Sequence, residues 1–275
     1  MDADIDAASR LAEEARQPHF SYVLVVWTAM RALLEGRFDH AEQLAQEAMA
    51  VGQRLQAEGV TGTLGIQMFT VYLEKGRLRE LEPLVKAFIE QHSAASAWRP
   101  GLAFIYSELG RREEAQAEFE HLAAEGFTDI PGDALWLGCI AYLSEACAFL
   151  GDSGRAESLY ELLLPYAERT VTVGTAAACY GAASRYLGLL SASMSRWEEA
   201  QQHFEHALEM NQRMGAKPWL AHTQQQYGDM LLARGQPGDR QKATALLDQA
   251  LAIASELGMA ALLERVLARR EILEA

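Results

Sequence analysis

His203, Glu205 and His206 lie within one helical turn of each other, and two histidines three residues apart can face a single metal ion. No usual third ligand accompanies them, and the pattern Ala200, Phe204, Ala207 turns their positions toward solvent, so no metal site is assigned. Cys139, Cys147 and Cys179 lack the CxxC spacing of zinc or redox centres. Cys139 and Cys147 would stand roughly 12 Å apart along a helix axis, beyond disulfide reach. A nucleophilic cysteine needs a nearby base and an activating environment, and the spacing identifies neither. The three are therefore read as reduced packing residues, which suits the cytoplasm. Two isolated charges carry more information. Glu145 is the one charge in ALWLGCIAYLSEACAFL, and Arg185 is the one charge in TAAACYGAASRYLGLL. Burying an unpaired charge is costly, so each must find a partner or mark a site.

The chain around them has 275 residues with 24 Lys and Arg against 38 Asp and Glu, a formal net charge of −14. That balance argues against direct nucleic-acid binding, which depends on clustered cations that release phosphate counterions. The opening MDADIDAASR is acidic where a secretory leader is basic, so no leader is expected. The apolar stretch 134–150 has 17 residues and is interrupted by Glu145, which reads as a buried helix and not a membrane span. No phosphate-binding GxxxxGK[ST] occurs, and no cofactor fingerprint is present.

One short phrase organises the sequence. GRFDHA at 36–41, GRLREL at 76–81, GRREEA at 110–115, GDSGRA at 151–156 and SRWEEA at 195–200 share a small residue, polar positions and a closing Ala or Leu. A stretched sixth copy starts at Gly235 and closes at Ala243. The closing positions are 40, 34, 41, 44 and 43 residues apart, periods that belong to stacked helical hairpins. After each phrase an apolar stripe follows, as in Ala115, Phe119 and Leu122; before it runs another, as in Leu102, Ala103 and Tyr106. The predicted helix pairs are 20–35 with 38–58, 63–75 with 78–92, 97–109 with 112–124, 134–150 with 153–167, 175–194 with 197–214, and 218–234 with 239–257. Terminal helices are expected at 3–16 and 259–273. Breakers fall at Pro18, 59–62, 129–133 and 215–218, and no domain boundary is apparent over 1–275. Strand-like alternation is confined to Thr170–Val173, too short to found a sheet. The helix at 3–16 has the character of a second helix without its first, which suggests a preceding unit or domain.

The units LAFIYSELGRREEAQAEF and RYLGLLSASMSRWEEAQQHFEHAL resemble the tetratricopeptide repeat (TPR) family, with its Leu-Gly, Tyr, Ala-x-x-x-Phe and Ala skeleton. Four of the five spacings exceed 34 residues and the closing Pro is missing from these units, so the resemblance is to a longer, degenerate variety. It implies an all-α fold, a right-handed α-solenoid of about six hairpins with an extra helix at each end. Beyond the repeat itself, WRPGLAFIYSELGRREEAQAEFEHLAAEGF, LLPYAERTVTVGTAAACYGAASRYLGLL and MGAKPWLAHTQQQYGDMLLARG are similar to the C-terminal helical region of large bacterial signalling ATPases, over roughly residues 18–262. Such proteins carry a cyclase or transcriptional-activator output and a nucleotide-binding switch ahead of the repeats.

In the repeat register that this resemblance implies, Met30, Ile66, Thr70, Phe104, Glu108, Glu145, Arg185, His222, Gln225 and Asp229 face a concave groove. Arg185 is expected to pair with Glu145 or Asp229 across the stack, either fixing the packing or anchoring a ligand. One arginine among several acids does not make a clamp for a partner's terminal carboxylate. Trp98 and Trp219 begin first helices near the ridge and are the candidate aromatic anchors. The expected function is a non-catalytic scaffold that binds a protein partner or upstream domains of its parent chain and transmits regulation, with no cofactor. The alternatives are a groove that senses a small ligand or peptide, and an enzyme using Glu145 and Asp229 as paired carboxylates.

Overall fold

Five of the six repeat phrases close on an alanine, and Ala41, Ala115, Ala156, Ala200 and Ala243 are all 0% exposed. A methyl group at this position lets the second helix of each hairpin press against the first. The buried stripe then continues at four and seven residues, as in Phe119 and Leu122, or Phe204 and Ala207. At the turn ahead of it the backbone takes a left-handed conformation, with φ +80° at Gly36. In the fifth copy a serine must adopt it, Ser195 at φ +58°.

The structure, a computed structural model, describes residues 2–15, 18–91, 98–124, 126–128 and 130–274. A leading helix α1 (Asp2–Ala15) precedes six hairpins. The first three are α2 (Pro18–Glu35) with α3 (Phe38–Arg54), α4 (Val60–Glu74) with α5 (Leu78–Gln91), and α6 (Arg99–Glu108) with α7 (Arg112–Ala123). Then come α8 (Trp136–Leu150) with α9 (Ser153–Leu163), α10 (Ala183–Ser193) with α11 (Trp197–Met214), and α12 (Lys217–Arg234) with α13 (Asp239–Leu257). Helix α14 (Ala260–Glu274) follows them, and the chain is an all-α solenoid of helical hairpins. The expected helix ends at 16, 92 and 97, and the breaker residue Asp129, lie outside the described residues. Pro18, expected as a breaker, instead opens α2, as its fixed φ permits in a first turn.

Two sequence expectations are overturned: the run Thr170–Val173, expected to be too short to found a sheet, forms one strand of a two-stranded sheet, and the helix expected over 175–194 begins only at Ala183. Residues 178–182 are not helical: they form β2 (Ala178–Ala182), antiparallel to β1 (Thr170–Val173), with Thr172 opposite Cys179 and Val173 opposite Ala178. Cys179, Tyr180 and Gly181 are weak helix formers, and Gly181 takes a left-handed φ of +75°, so the segment leaves the helix once tertiary contacts hold it. Thr175 O accepts a hydrogen bond from Trp27 Nε1 at 3.1 Å and Ala177 O accepts one from Gln67 Nε2 at 3.0 Å. The hairpin thus reaches from the α9–α10 connection across the solenoid to α2 and α4.

The coil also meets itself at its ends. Helix α2 packs on α12 and α4 on α14. Arg31 Nη1 donates to Met214 O at 3.0 Å, and Leu262 and Val266 of α14 are buried in one cluster with Ala32, Leu33 and Val71. At Gly36 a Cβ would stand 2.5 Å from Leu257 Cδ1, so the absent side chain is what seats the end of α13 on the first turn.

Candidate functional site

The first helices converge on the axis of the coil, where their apolar faces leave a few polar side chains to find each other. Arg185 of α10 is 1% exposed, the largest fully buried side chain among the described residues. Its Nη1 donates to Glu145 Oε1 of α8 at 2.6 Å and to Gln226 Oε1 of α12 at 2.8 Å, and Gln226 Nε2 donates back to Glu145 Oε2 at 3.0 Å. The guanidinium lies 4.0 Å from the Tyr186 ring centroid and 5.3 Å from that of Trp219. Of the two carboxylates expected for Arg185, Glu145 is therefore the partner. Asp229 instead lies 2.6 Å from Arg269 Nε of α14 and accepts from Gln225 Nε2. Burial raises the Asp229 pKa, a shift that Arg269 opposes.

Two further pairs tie distant helices together. His222 Nε2 of α12 is 3.0 Å from Glu74 Oε1 of α4, and Arg265 Nη1 of α14 is 2.6 and 2.7 Å from the two Glu108 oxygens of α6. Beside them runs a ladder of rings. Phe69 and Phe104 both contact Tyr142, at 5.2 and 5.1 Å between centroids; Tyr142 contacts Tyr180 at 5.3 Å, Tyr180 contacts Trp219 at 5.5 Å, and Trp219 stacks on His222 at 5.4 Å. The ladder passes through α4, α6, α8, β2 and α12 in turn.

The groove positions inferred from sequence are brought to one interior, but that interior is filled. Met30, Thr70, Phe104, Arg185, His222 and Gln225 are buried, while Ile66, Glu108, Glu145 and Asp229 are half-buried. The space left between Glu108, Glu145, Arg185, His222 and Arg265 is about 20 Å³, room for a single water. Trp219 is not a ridge anchor: it is 5% exposed because it forms a rung of the ladder. Trp98 is half-buried against Phe88, 5.1 Å between centroids.

Glu74, Gln226 and Arg265 escape the sequence reading. Glu74 sits one helical turn after Thr70 on the same stripe, a signal that was present; Arg265 belongs here only because the coil closes on α14. His203 and His206 do not converge on one point: His203 Nε2 bonds Tyr160 Oη at 3.0 Å and His206 Nε2 lies 3.3 Å from Glu168. Among the described residues no group of three or more His, Cys, Asp or Glu is placed to hold a metal ion. Nor is any described helix long and apolar enough to cross a membrane.

Hairpins with closing alanines, packed in sequence order, are the geometry of a known repeat. Residues 179–256 match the tetratricopeptide repeat family. Tetratricopeptide repeats generally mediate contacts between proteins, as scaffolds without enzymatic activity. The match covers β2 and helices α10–α13, the part of the chain that supplies Arg185, Gln226 and His222 to the interior. No curated protein matches the chain.

Proposed function

We propose that the chain is a non-catalytic protein-interaction scaffold, the regulatory repeat region of a larger bacterial signalling or transcription-regulating ATPase, working in the cytoplasm. Its partner is another protein or the upstream domains of its parent chain. The observation that supports this reading is the closed interior. Glu108, Glu145 and Asp229 each have an arginine partner and Glu74 is bonded to His222, so the coil is locked as one body whose outer helices face the surroundings. A body already ordered before binding loses little conformational entropy on docking. Glu145 and Asp229, each engaged by its own cation, are structural in this reading and not an acid and base pair. The test is titration of the chain against a separately produced nucleotide-binding ATPase module of that family. Saturable binding with a changed rate of nucleotide hydrolysis is expected, and no binding with an unchanged rate contradicts the proposal.

A second reading, a sensor of a small ligand or peptide in the groove, draws on one specific observation. Arg185 and Arg265 line the same small chamber, and the Nε of each is buried without a hydrogen-bond partner. A rise in melting temperature with a metabolite, lost when Arg185 is replaced by Lys, is the result that supports it.

A further inference from the structure

The second hairpin is the exception among the six. Its phrase closes on Leu81 where the other five close on a fully buried alanine, and α5 carries Pro83 in its interior. Helices α4 and α5 touch less than the helices of any other hairpin. A cleft of about 320 Å³ results, walled by Leu64 and Met68 of α4 and by Leu81, Leu84 and Phe88 of α5. Leu84 at its mouth is 65% exposed.

Behind the cleft lies an inner chamber of about 40 Å³, and Phe69, Val85 and Trp98 line both, so the two spaces are adjacent across these three side chains. Gly101, Gly138, Tyr142 and Tyr180 line the chamber, and the two tyrosine hydroxyls are 2.5 Å apart. Gly138 is needed there, since a Cβ would stand 2.8 Å from Val173 Cγ2. The two spaces together fall in the range of small-molecule sites, about 300–1,000 Å³. The inner chamber is far too small for a helix, whose diameter is about 10–12 Å. Among the described residues no Lys, Arg, His, Asp or Glu lines either space.

We propose that this passage is a binding site for a slender, uncharged lipophilic molecule with one hydrogen-bonding end, of the class of a medium-chain alcohol. The apolar body lies between α4 and α5, and the polar end reaches the paired tyrosine hydroxyls. Burial keeps those hydroxyls protonated, with the Tyr180 pKa pushed up to about 12, so they serve a neutral hydroxyl. A carboxylate at the same depth would be buried without a counter-charge. Tyr142 and Tyr180 also line the charged chamber on their other side, so the site borders the interior, while binding there does not depend on the scaffold role.

The test uses the full chain and the neutral dye N-phenyl-1-naphthylamine, whose fluorescence rises in apolar surroundings, with 1-octanol and octanoate as competitors. Saturable dye binding is expected, with 1-octanol displacing the dye at no more than a tenth of the octanoate concentration. Gly65 lies beside the passage, where a Cβ would be 3.1 Å from the Trp98 ring. Gly65→Leu should weaken dye binding at least tenfold while the melting temperature is held or raised, and Trp98→Ala should retain binding. Tyr142→Phe should narrow the preference for alcohol over octanoate at least threefold. No saturable binding, equal displacement by octanoate, or full binding by Gly65→Leu would overturn the proposal.

Discussion

His222 Nε2 and Glu74 Oε1 are 3.0 Å apart although 148 positions separate them in the chain, which joins the sixth hairpin to the second across the axis of the coil. Both side chains are buried, at 7% and 1% exposure. An ideal repeat array has only nearest-neighbour contacts; this pair, with Arg265–Glu108, adds contacts between its ends. The His222→Leu variant leaves the Glu74 carboxylate buried without its partner and should lose about 3 kcal/mol of stability in denaturant unfolding. Adding Glu74→Leu should restore most of that loss, because an apolar pair replaces an unpaired charge. If the double variant is as unstable as the sum of the singles, the two residues are not coupled.

Ser195 carries a left-handed backbone, φ +58°, at a turn where five of the six phrases use glycine. That conformation costs an L-residue roughly 1–2 kcal/mol, of which glycine's greater freedom in the unfolded chain returns part. The Ser195→Gly variant should therefore melt about 1–3 °C higher in a thermal scan.

Asp239 at the start of α13 meets Arg234 through two bonds, 2.9 and 2.7 Å, and also accepts the Gln236 N–H at 2.8 Å. The bond from Arg234 holds its carboxyl below the ordinary range. A lowered folded-state pKa contributes stability above the unfolded pKa and loses it as pH falls through the folded value. Asp239→Asn should thus be less stable than the parent protein at pH 7. The gap should shrink below about pH 4, the unfolded range of an aspartate. A gap independent of pH would show that the carboxylate charge has no part in it.

The thiols of Cys139, Cys147 and Cys179 are all buried, and burial pushes the first two up to about 12 and raises the third. Few thiolates then exist at pH 8. A disulfide reagent should label the folded protein far more slowly than the denatured protein, which should react at three sites. Rapid labelling of the native state would place at least one thiol in a reactive setting.

The hairpins were legible because the closing alanine and its stripe recur locally, and every expected helix that lies wholly in such a stripe has its counterpart. Residues 178–182 were not legible as a strand, since five residues without alternation give no period and their pairing is fixed by the surroundings that Trp27, Gln67 and Gly138 provide. Arg185 and Glu145 could be paired from their isolation in apolar segments, which is a local signal. That Gln226 joins them, that Asp229 turns to Arg269, and that Trp219 lies inside depend on how far the coil curls. Curl accumulates from small rotations at each interface, and no single residue type marks it. The Leu81 exception was visible in the sequence, but the cleft between α4 and α5 required the packing of both helices.

The central claim is that interior contacts close the coil, and small-angle X-ray scattering on the dilute protein tests it most directly. Closure gives a radius of gyration near that of a compact chain of this length, about 19 Å. The double charge removal Glu108→Gln with Asp229→Asn should raise the value by releasing α14. A radius well above the compact value in the unaltered protein, unchanged by those substitutions, would show an open array and contradict the account.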